Sequence, residues 1–268
     1  MKLNIVTPSF NQCRFLRLTI DSVLSQAGDF DLEMLVMDGG STDGSVELLQ
    51  SIQDSRLSWH SEADSGQTEA LCKGLARATG DVIGWVNSDD VYTPGALAIV
   101  AEAFRRHPGA QWLIGRCQII DASGQEIHRW ITRYKDRRLQ HFSFSRLLRE
   151  NIICQMSVFW RRAFGRQVGE PDRTLHHAMD YDLWLRMAQR STPLLIDRVL
   201  AQFRWHDQSK TMTVNRERFR EHHAVARRHA AGHRWSLLLN RWHSEKMVWA
   251  YWLLTQLGML GRPDPPRD

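Results

Sequence analysis

The chain has 268 residues, 43% of them hydrophobic and 24% charged, which is enough to bury one large core, or a core with a small appendage, and argues against a disordered chain. Lys and Arg outnumber Asp and Glu by 35 to 30, with the basic residues crowded into the second half (Arg129 to Arg149, then Arg216 to Arg234), so the charge favours nucleotide phosphates, nucleic acid or acidic lipid as partners. There is no uninterrupted apolar run of spanning length and no signal peptide, and Cys13, Cys72, Cys117 and Cys154 form no CxxC pair. A zinc site, a disulfide framework and an integral membrane protein are therefore not suggested, and a reducing cytoplasm fits.

Leu3 to Val6 is a short apolar run, Thr7-Pro8-Ser9-Phe10-Asn11 a turn after it, and Phe15, Leu16, Ile20, Val23 and Leu24 follow at helical spacing. That strand, loop and helix recur. Leu32 to Met37 reads as a strand, Asp38 to Gly44 as a glycine-rich loop and Ser45 to Ile52 as a helix that Asp43 can cap; Leu57 to His60 is a third strand, followed by Glu62 to Gln67 and a helix through Leu71, Leu75 and Ala78. Past Gly80, the apolar run Val82, Ile83, Trp85 and Val86 ends abruptly in Asn87, Ser88, Asp89 and Asp90. This is a buried strand with carboxylates at its tip. Hard oxygen donors there suit Mg²⁺ or Mn²⁺ bridging to phosphate oxygens, whereas an Asp just before the helix near Pro94 can equally be a cap. Alternating strands and helices call for a mostly parallel sheet covered on both faces, and right-handed crossovers bring Thr7, Ser9, Asp38, Asp64 and Asp89 to one edge.

In the second half, Trp112 to Ile120 and Glu126 to Ile131 read as two strands joined in a hairpin, Arg133 to Arg149 as a solvated basic face, and Ile152 to Trp160 as an apolar run containing Gln155. Leu183, Trp184, Met187 and Ala188 recur at helical spacing, which puts Asp180 at a helix start, where it can cap the helix or face a cleft. After the apolar run Leu194 to Val199 come Arg204, His206 and Lys210. The tail from Glu217 to Leu260 is helical in pattern, first basic and then rich in tryptophan and leucine. Such helices suit an interface with anionic lipid, a homodimer partner, or packing on the main domain.

Thr-Pro-Ser-Phe-Asn at 7–11, Val-Met-Asp-Gly-Gly-Ser-Thr-Asp-Gly-Ser at 36–45, Lys73-Gly74 with Ala78-Thr79-Gly80-Asp81 behind it, and Asn-Ser-Asp-Asp at 87–90 together resemble bacterial family 2 glycosyltransferases in order and spacing. The resemblance implies the α/β GT-A fold: a mostly parallel nucleotide-binding sheet flanked by helices, with a C-terminal helical extension. Residues 1–212 would form the GT-A domain, with 1–106 binding the nucleotide-sugar and 107–212 carrying the acceptor and catalytic half; residues 213–268 would be the extension. It also implies inverting, metal-dependent transfer of a sugar from a nucleoside diphosphate donor to a glycan or lipid-linked hydroxyl, in cell-surface polysaccharide or glycolipid biosynthesis. The place of work would be the cytoplasm or the inner face of the membrane.

Carried over by position, the resemblance implies that Thr7, Pro8 and Ser9 line the base pocket and Asp38 accepts hydrogen bonds from the base or ribose. Asp64 and Lys73 would lie near the nucleotide, and Asn87 and Ser88 near the donor sugar. Asp89 would hold Mn²⁺ or Mg²⁺ with Asp90 as a further candidate, His206 would approach the metal or diphosphate, and Arg204 and Lys210 would touch the diphosphate. Asp180 would be the catalytic base, with Asp182 in reserve. The sequence departs from the family twice. Asn87 replaces the first acid of the Asp-x-Asp signature, which implies a weaker metal site, and Met179 replaces the first acid of the catalytic pair. Without that like-charged neighbour, Asp180 is expected to be ionised at neutral pH. The same departures suit a non-catalytic nucleotide-sugar-binding or scaffold protein of this fold. Nucleotidyl transfer lacks its lysine-rich glycine loop here, and no nucleic-acid motif accompanies the positive charge.

Overall fold

The computed structural model describes residues 1–207 and 216–256. Its first half repeats the β-α unit: β1 (Lys2–Ser9), α1 (Cys13–Leu24), β2 (Asp31–Asp38), α2 (Ser45–Ser51), β3 (Leu57–Ser61), α3 (Gln67–Arg77) and β4 (Val82–Trp85). β5 (Val91–Tyr92), α4 (Ala96–Arg106), β6 (Trp112–Ile120), β7 (Glu126–Ile127), α5 (Arg129–Gln140) and α6 (Phe144–Arg149) follow. The chain continues through a 3₁₀ turn at Gln155–Ser157, β8 (Val158–Arg161), α7 (Arg162–Val168), α8 (Met179–Arg190), β9 (Leu194–Arg204), α9 (Arg216–His229) and α10 (Arg234–Gln256).

One sheet orders the strands β3-β2-β1-β4-β8-β6-β9-β5, with β7 on β6. β3, β2, β1 and β4 are parallel, β8 runs antiparallel to both β4 and β6, β6 and β9 are parallel, and β5 opposes β9. The mostly parallel α/β architecture therefore holds, and the sheet runs unbroken across the expected 106/107 junction. The alternating directions decide where loops emerge. β6 and β9 point the same way as β1 to β4, so Ile120 and Arg204 finish at the edge where Ser9, Asp38 and Trp85 finish; β8, running the other way, starts there.

Each face of the sheet carries its own core, as near-continuous apolar strands require. Leu3, Ile5, Val36, Val82 and Leu113 meet Leu16, Ile20, Val100 and Phe104 of α1 and α4 on one side. Val6, Trp85, Trp112 and Trp160 meet Leu71 of α3, Leu147 of α6 and Trp184 of α8 on the other.

Two expectations for the second half need correction. The strand expected over Glu126–Ile131 stops at Ile127, because His128 takes a left-handed φ of 49° and the chain turns into α5. The basic segment Arg133–Arg149 is not a featureless solvated face: it forms α5 and α6, whose Thr132, Leu139, Leu147 and Leu148 are buried. In a helix every third or fourth residue suffices to bury one side while the intervening arginines stay wet. The boundary expected at 212/213 and Lys210 lie outside the described residues.

Candidate active site

The tips of β1, β2 and β3 lie side by side, since Ser9 pairs with Asp38 and Asp38 with Ser61. Asp38 is buried and organises its own loop. Its Oδ2 accepts from the Gly40 and Ser41 N–H groups (3.1 and 2.9 Å) and from Ser61 Oγ (2.7 Å), and its Oδ1 accepts from Ser41 Oγ (2.5 Å). Four protein donors leave little of this carboxylate for a base or ribose, so its geometry is that of a strut shaping the pocket. Thr7 Oγ1, Ser9 Oγ and Gln12 Oε1, at the tip of β1 and just beyond it, are buried and meet no hydrogen-bond partner among the described residues. Buried polar atoms are paired in nearly all folded proteins, so three orphans at and just beyond one strand tip are capacity that a ligand could use.

Asn11, at a left-handed φ of 52°, ties this turn to the next loop: its N–H donates to Ser41 Oγ (2.8 Å) and its Oδ1 accepts from the Thr42 N–H (2.9 Å). Asp64 is half-buried against Gly39, where an added Cβ would fall 2.9 Å from Asp64 Oδ2. Lys73 is engaged by Glu62 and Glu69 at 2.9 and 3.0 Å, so its charge is shared with two acids of the adjoining loop and helix.

The tip of β4 holds the metal candidates. Asp89 Oδ2 lies 3.0 Å from His206 Nε2, while no hydrogen bond is made to Asp89 Oδ1 among the described residues. β9 delivers His206 here because it runs parallel to β6 and ends at this edge. Phe15 packs on the imidazole with ring centroids 4.6 Å apart. One carboxylate and one imidazole fit a divalent ion whose shell is completed by diphosphate oxygens and water, and no group of three or more metal-binding side chains occurs among the described residues.

Asp90 is corrected. It is fully buried, with Oδ1 accepting from the Arg204 N–H (2.8 Å) and Oδ2 from Asn87 Nδ2 (3.3 Å), and burial followed by the neighbouring Asp89 charge pushes its pKa well up. Both of its oxygens brace the loop in this structure. Arg204 is corrected as well, since its guanidinium donates to the carbonyls of Asp89, Asp121 and Ala122. Asn87 accepts from Gln67 Nε2 (2.8 Å) and Trp85 Nε1 (3.0 Å), and Ser88 beside it is buried.

Asp180 stands in the first turn of α8. Its Oδ1 accepts from the Tyr181 N–H (2.7 Å) and its Oδ2 from Asn151 Nδ2 (3.3 Å). Burial raises its pKa, opposed by those two hydrogen bonds and by the charges of Arg218 and Lys135. Met179 does remove a like charge, but desolvation supplies an upward push that the sequence alone does not reveal. Asp182, the reserve, is corrected. It is buried in ion pairs with Arg186 (2.8 Å) and His229 (2.9 Å), and although burial opposes them, these partners hold its pKa low. It fastens α9 to α8.

Side-chain bonds tie the segments flanking Asp180 to those flanking Asp89. Gln67 at the start of α3 holds Asn87, while its neighbour Thr68 bonds Met179 Sδ (2.6 Å) beside Asp180. Asn151 holds Asp180, and four residues on, Gln155 donates to the Trp85 carbonyl of β4. Asn151, Gln155 and Glu221 carry no motif and were not singled out for these roles. Glu221 of α9 accepts from the N–H groups of His177 and Ala178 (both 2.7 Å) and so holds the loop that presents Asp180.

In the 151–157 segment, the half-exposed Cys154 lies 3.7 Å from Lys135 Nζ. The neighbouring Cys117 thiol and the Lys135 charge, against burial, hold its pKa below that of an ordinary thiol. Alkylation by iodoacetamide is therefore expected to reach half its limiting rate at a lower pH than the about 8.5 of an ordinary thiol. Lys135→Met should move the midpoint up; an ordinary midpoint in the parent protein would refute the assignment. On the other side of α5, Arg116, Gln118, Glu126, Arg129, Thr132 and Arg133 line a polar cavity of about 250 Å³.

The model of Glycosyl transferase family 2 matches residues 4–167, which include the tips of β1 to β4 and stop before α8 and β9. The chain belongs to that family. An uncharacterised glycosyltransferase of Mycobacterium tuberculosis is 28% identical over 203 residues, covering 75% of this chain and 74% of the relative. A PGL/p-HBAD biosynthesis glycosyltransferase of Mycobacterium bovis is 28% identical over 202 residues, covering 74% and 73%. Among solved structures, a mannosyltransferase from Pyrobaculum calidifontis in complex with GDP-Man and Mn²⁺ superposes with a TM-score of 0.65 at 15% identity, over 96% of this chain and 79% of that one. Staphylococcus aureus TarS with UDP-GlcNAc gives 0.64 at 15% identity, over 84% of this chain and 65% of the TarS chain. These likenesses establish the fold of this family 2 glycosyltransferase as GT-A.

Proposed function

We propose that this family 2 chain is an inverting, metal-dependent glycosyltransferase that moves one sugar from a nucleoside diphosphate donor to a hydroxyl of a glycan or lipid-linked acceptor. The observation that carries the reading is the Asp89–His206 pair at the tips of β4 and β9, with Asp180 at the start of α8, whose neighbour Met179 bonds Thr68 of α3. The orphan hydroxyls of Thr7 and Ser9 support a nucleotide at the neighbouring strand tip. A nucleotide-sugar donor is also supported by the UDP-GlcNAc and GDP-Man held by the two structural neighbours, and a divalent ion by the Mn²⁺ of one of them. The Mycobacterium bovis relative is named for PGL/p-HBAD biosynthesis, which supports a biosynthetic transfer of this kind.

In this reading Asp180 takes the proton of the acceptor hydroxyl as its oxygen attacks the anomeric carbon. The bond from that carbon to the diphosphate breaks on the opposite face, so configuration inverts and the nucleoside diphosphate leaves. Asp89 and His206 would hold a Mn²⁺ or Mg²⁺ ion, which supplies positive charge to the departing diphosphate. Asn151 keeps Asp180 oriented, and the raised pKa of Asp180 makes it a stronger base than a free aspartate.

A panel of nucleotide-sugars screened with Mn²⁺ tests this. One donor should raise the melting temperature, as bound ligand stabilises in proportion to ln(1 + [L]/Kd), and should then be hydrolysed slowly without acceptor. In Asp89→Ala the Mn²⁺-dependent part of donor binding should vanish in calorimetry; unchanged binding with and without Mn²⁺ would remove Asp89 from the site. The scaffold reading, favoured by Asn87 and Met179 in place of acids, expects binding without any turnover.

A further inference from the structure

α10 is docked on the protein through the buried polar residues Ser236 and Asn240 and the partly buried Leu237. Ser236 and Asn240 are buried: Asn240 Nδ2 donates to the Arg149 carbonyl (3.2 Å), His223 Nδ1 lies 2.8 Å from Asn240 Oδ1, and Arg149 Nε donates to Ser236 Oγ (3.3 Å). The opposite side turns large apolar groups to solvent, with Trp235 79%, Leu238 59%, Leu239 42% and Trp242 62% exposed. Spacings of three, four and seven residues put these four on one face. A helix that buries asparagine and exposes tryptophan reverses the usual arrangement of a globular surface. Of the three partners the tail's pattern suits, packing on the main domain does not account for these two tryptophans, and a contiguous apolar stripe is left for something outside the chain.

Charge says what that is. Between Arg216 and Lys246 there are eight arginines and lysines against three acids. Arg234, Arg241 and Lys246 are exposed on α10 itself, with Lys246 Nζ 5.2 Å from the Trp242 ring centre and Arg241 paired with Glu245. A second copy brought onto this stripe would carry the same cationic surroundings, and like charges would oppose the contact. An anionic lipid surface complements them, while the indoles suit the headgroup boundary. None of the helices, searched over the described residues, is long and apolar enough to cross a membrane, so the contact would lie in the interface plane.

We infer that the α10 face formed by Trp235, Leu238, Leu239 and Trp242 is a docking surface for anionic membrane, inserting its indoles at headgroup depth while the cations around it meet lipid phosphates. This does not depend on the transferase reading. The full chain should sediment with phosphatidylcholine vesicles carrying 30% phosphatidylglycerol at least tenfold more strongly than with phosphatidylcholine alone, and 0.5 M salt should reverse most of the difference. The pair Trp235→Ser and Trp242→Ser should lower that partition at least tenfold, with the melting temperature and nucleotide-sugar hydrolysis in solution unchanged. The vesicle and salt comparisons on the parent chain stand even if the variant misfolds. A parent chain left in the supernatant with anionic vesicles overturns the inference, as does a folded variant that sediments like the parent. A dimer abolished by the double substitution, without vesicle binding, overturns it in favour of self-association.

Discussion

Asp180→Asn is expected to lower sugar transfer by about two to four orders of magnitude, the scale of losing a general base, while Mn²⁺-dependent donor binding is kept. The substitution preserves shape and leaves an oxygen that can accept from the Tyr181 N–H or from Asn151 Nδ2, so the start of α8 should hold. Stability should move the other way from activity. Burial is the largest influence on Asp180 and raises its pKa in the folded state, so its contribution to stability is fully present below the unfolded pKa and is lost as pH rises through the folded one. Ionising this desolvated carboxylate costs the folded state, a cost that the neutral amide removes. The variant should therefore melt higher than the parent at pH 7.5, with the difference shrinking at pH 4. Near-normal turnover would exclude Asp180 as the base, and a lower melting temperature at pH 7.5 would contradict the burial argument.

Trp184→Ala is expected to destabilise the fold by about 3–5 kcal/mol, the usual cost of removing a buried aromatic side chain. For a chain of this size that corresponds to a fall of roughly 6–20 °C in melting temperature. Trp184 of α8 is fully buried and meets Trp85 (6.5 Å between ring centroids), Trp112 (6.3 Å, stacked) and Trp160 (6.0 Å, edge-on). It thus joins the helix carrying Asp180 to three strands of the sheet, among them β4, whose Trp85 also holds Asn87 at the donor edge. The indole Nε1 of Trp184 has no hydrogen-bond partner among the described residues. Trp184→Phe should then lose less than half as much as alanine, because it keeps most of the packing and removes an unpaired donor. Denaturant melts of both variants check this; phenylalanine as damaging as alanine would show that the indole's shape matters more than its apolar area.

The reach of the sequence and the contribution of the fold divide along a physical line. Apolar strands at regular intervals, helices between them and polar turns after them are local patterns, and they were enough for a mostly parallel sheet with Thr7, Ser9, Asp38 and Asp89 at one edge. The family resemblance rested on those same turns, and the family match over residues 4–167 agrees with it. His206 beside Asp89 was expected from the resemblance alone, and the structure shows that the cause is the direction of β9. The short β5 and the helices within Arg133–Arg149 were missed, and β7 was expected too long, because strand pairing and left-handed turns such as His128 override the local pattern.

What the sequence determined by itself is which residues are apolar, which are charged and where the backbone turns. What only the tertiary structure decided is how each polar group is used. Asp38, Asp90, Asp182 and Arg204 look available along the chain but are occupied by partners up to 115 residues away, while Asn151, Gln155 and Glu221 matter through bonds that no spacing announces. The outward face of α10 belongs to the same class. Its amphipathic pattern is written in the sequence, but which side faces the protein depends on Arg149 and His223 reaching Ser236 and Asn240. Burial and pairing are properties of neighbours in space, and a linear pattern specifies only neighbours along the chain.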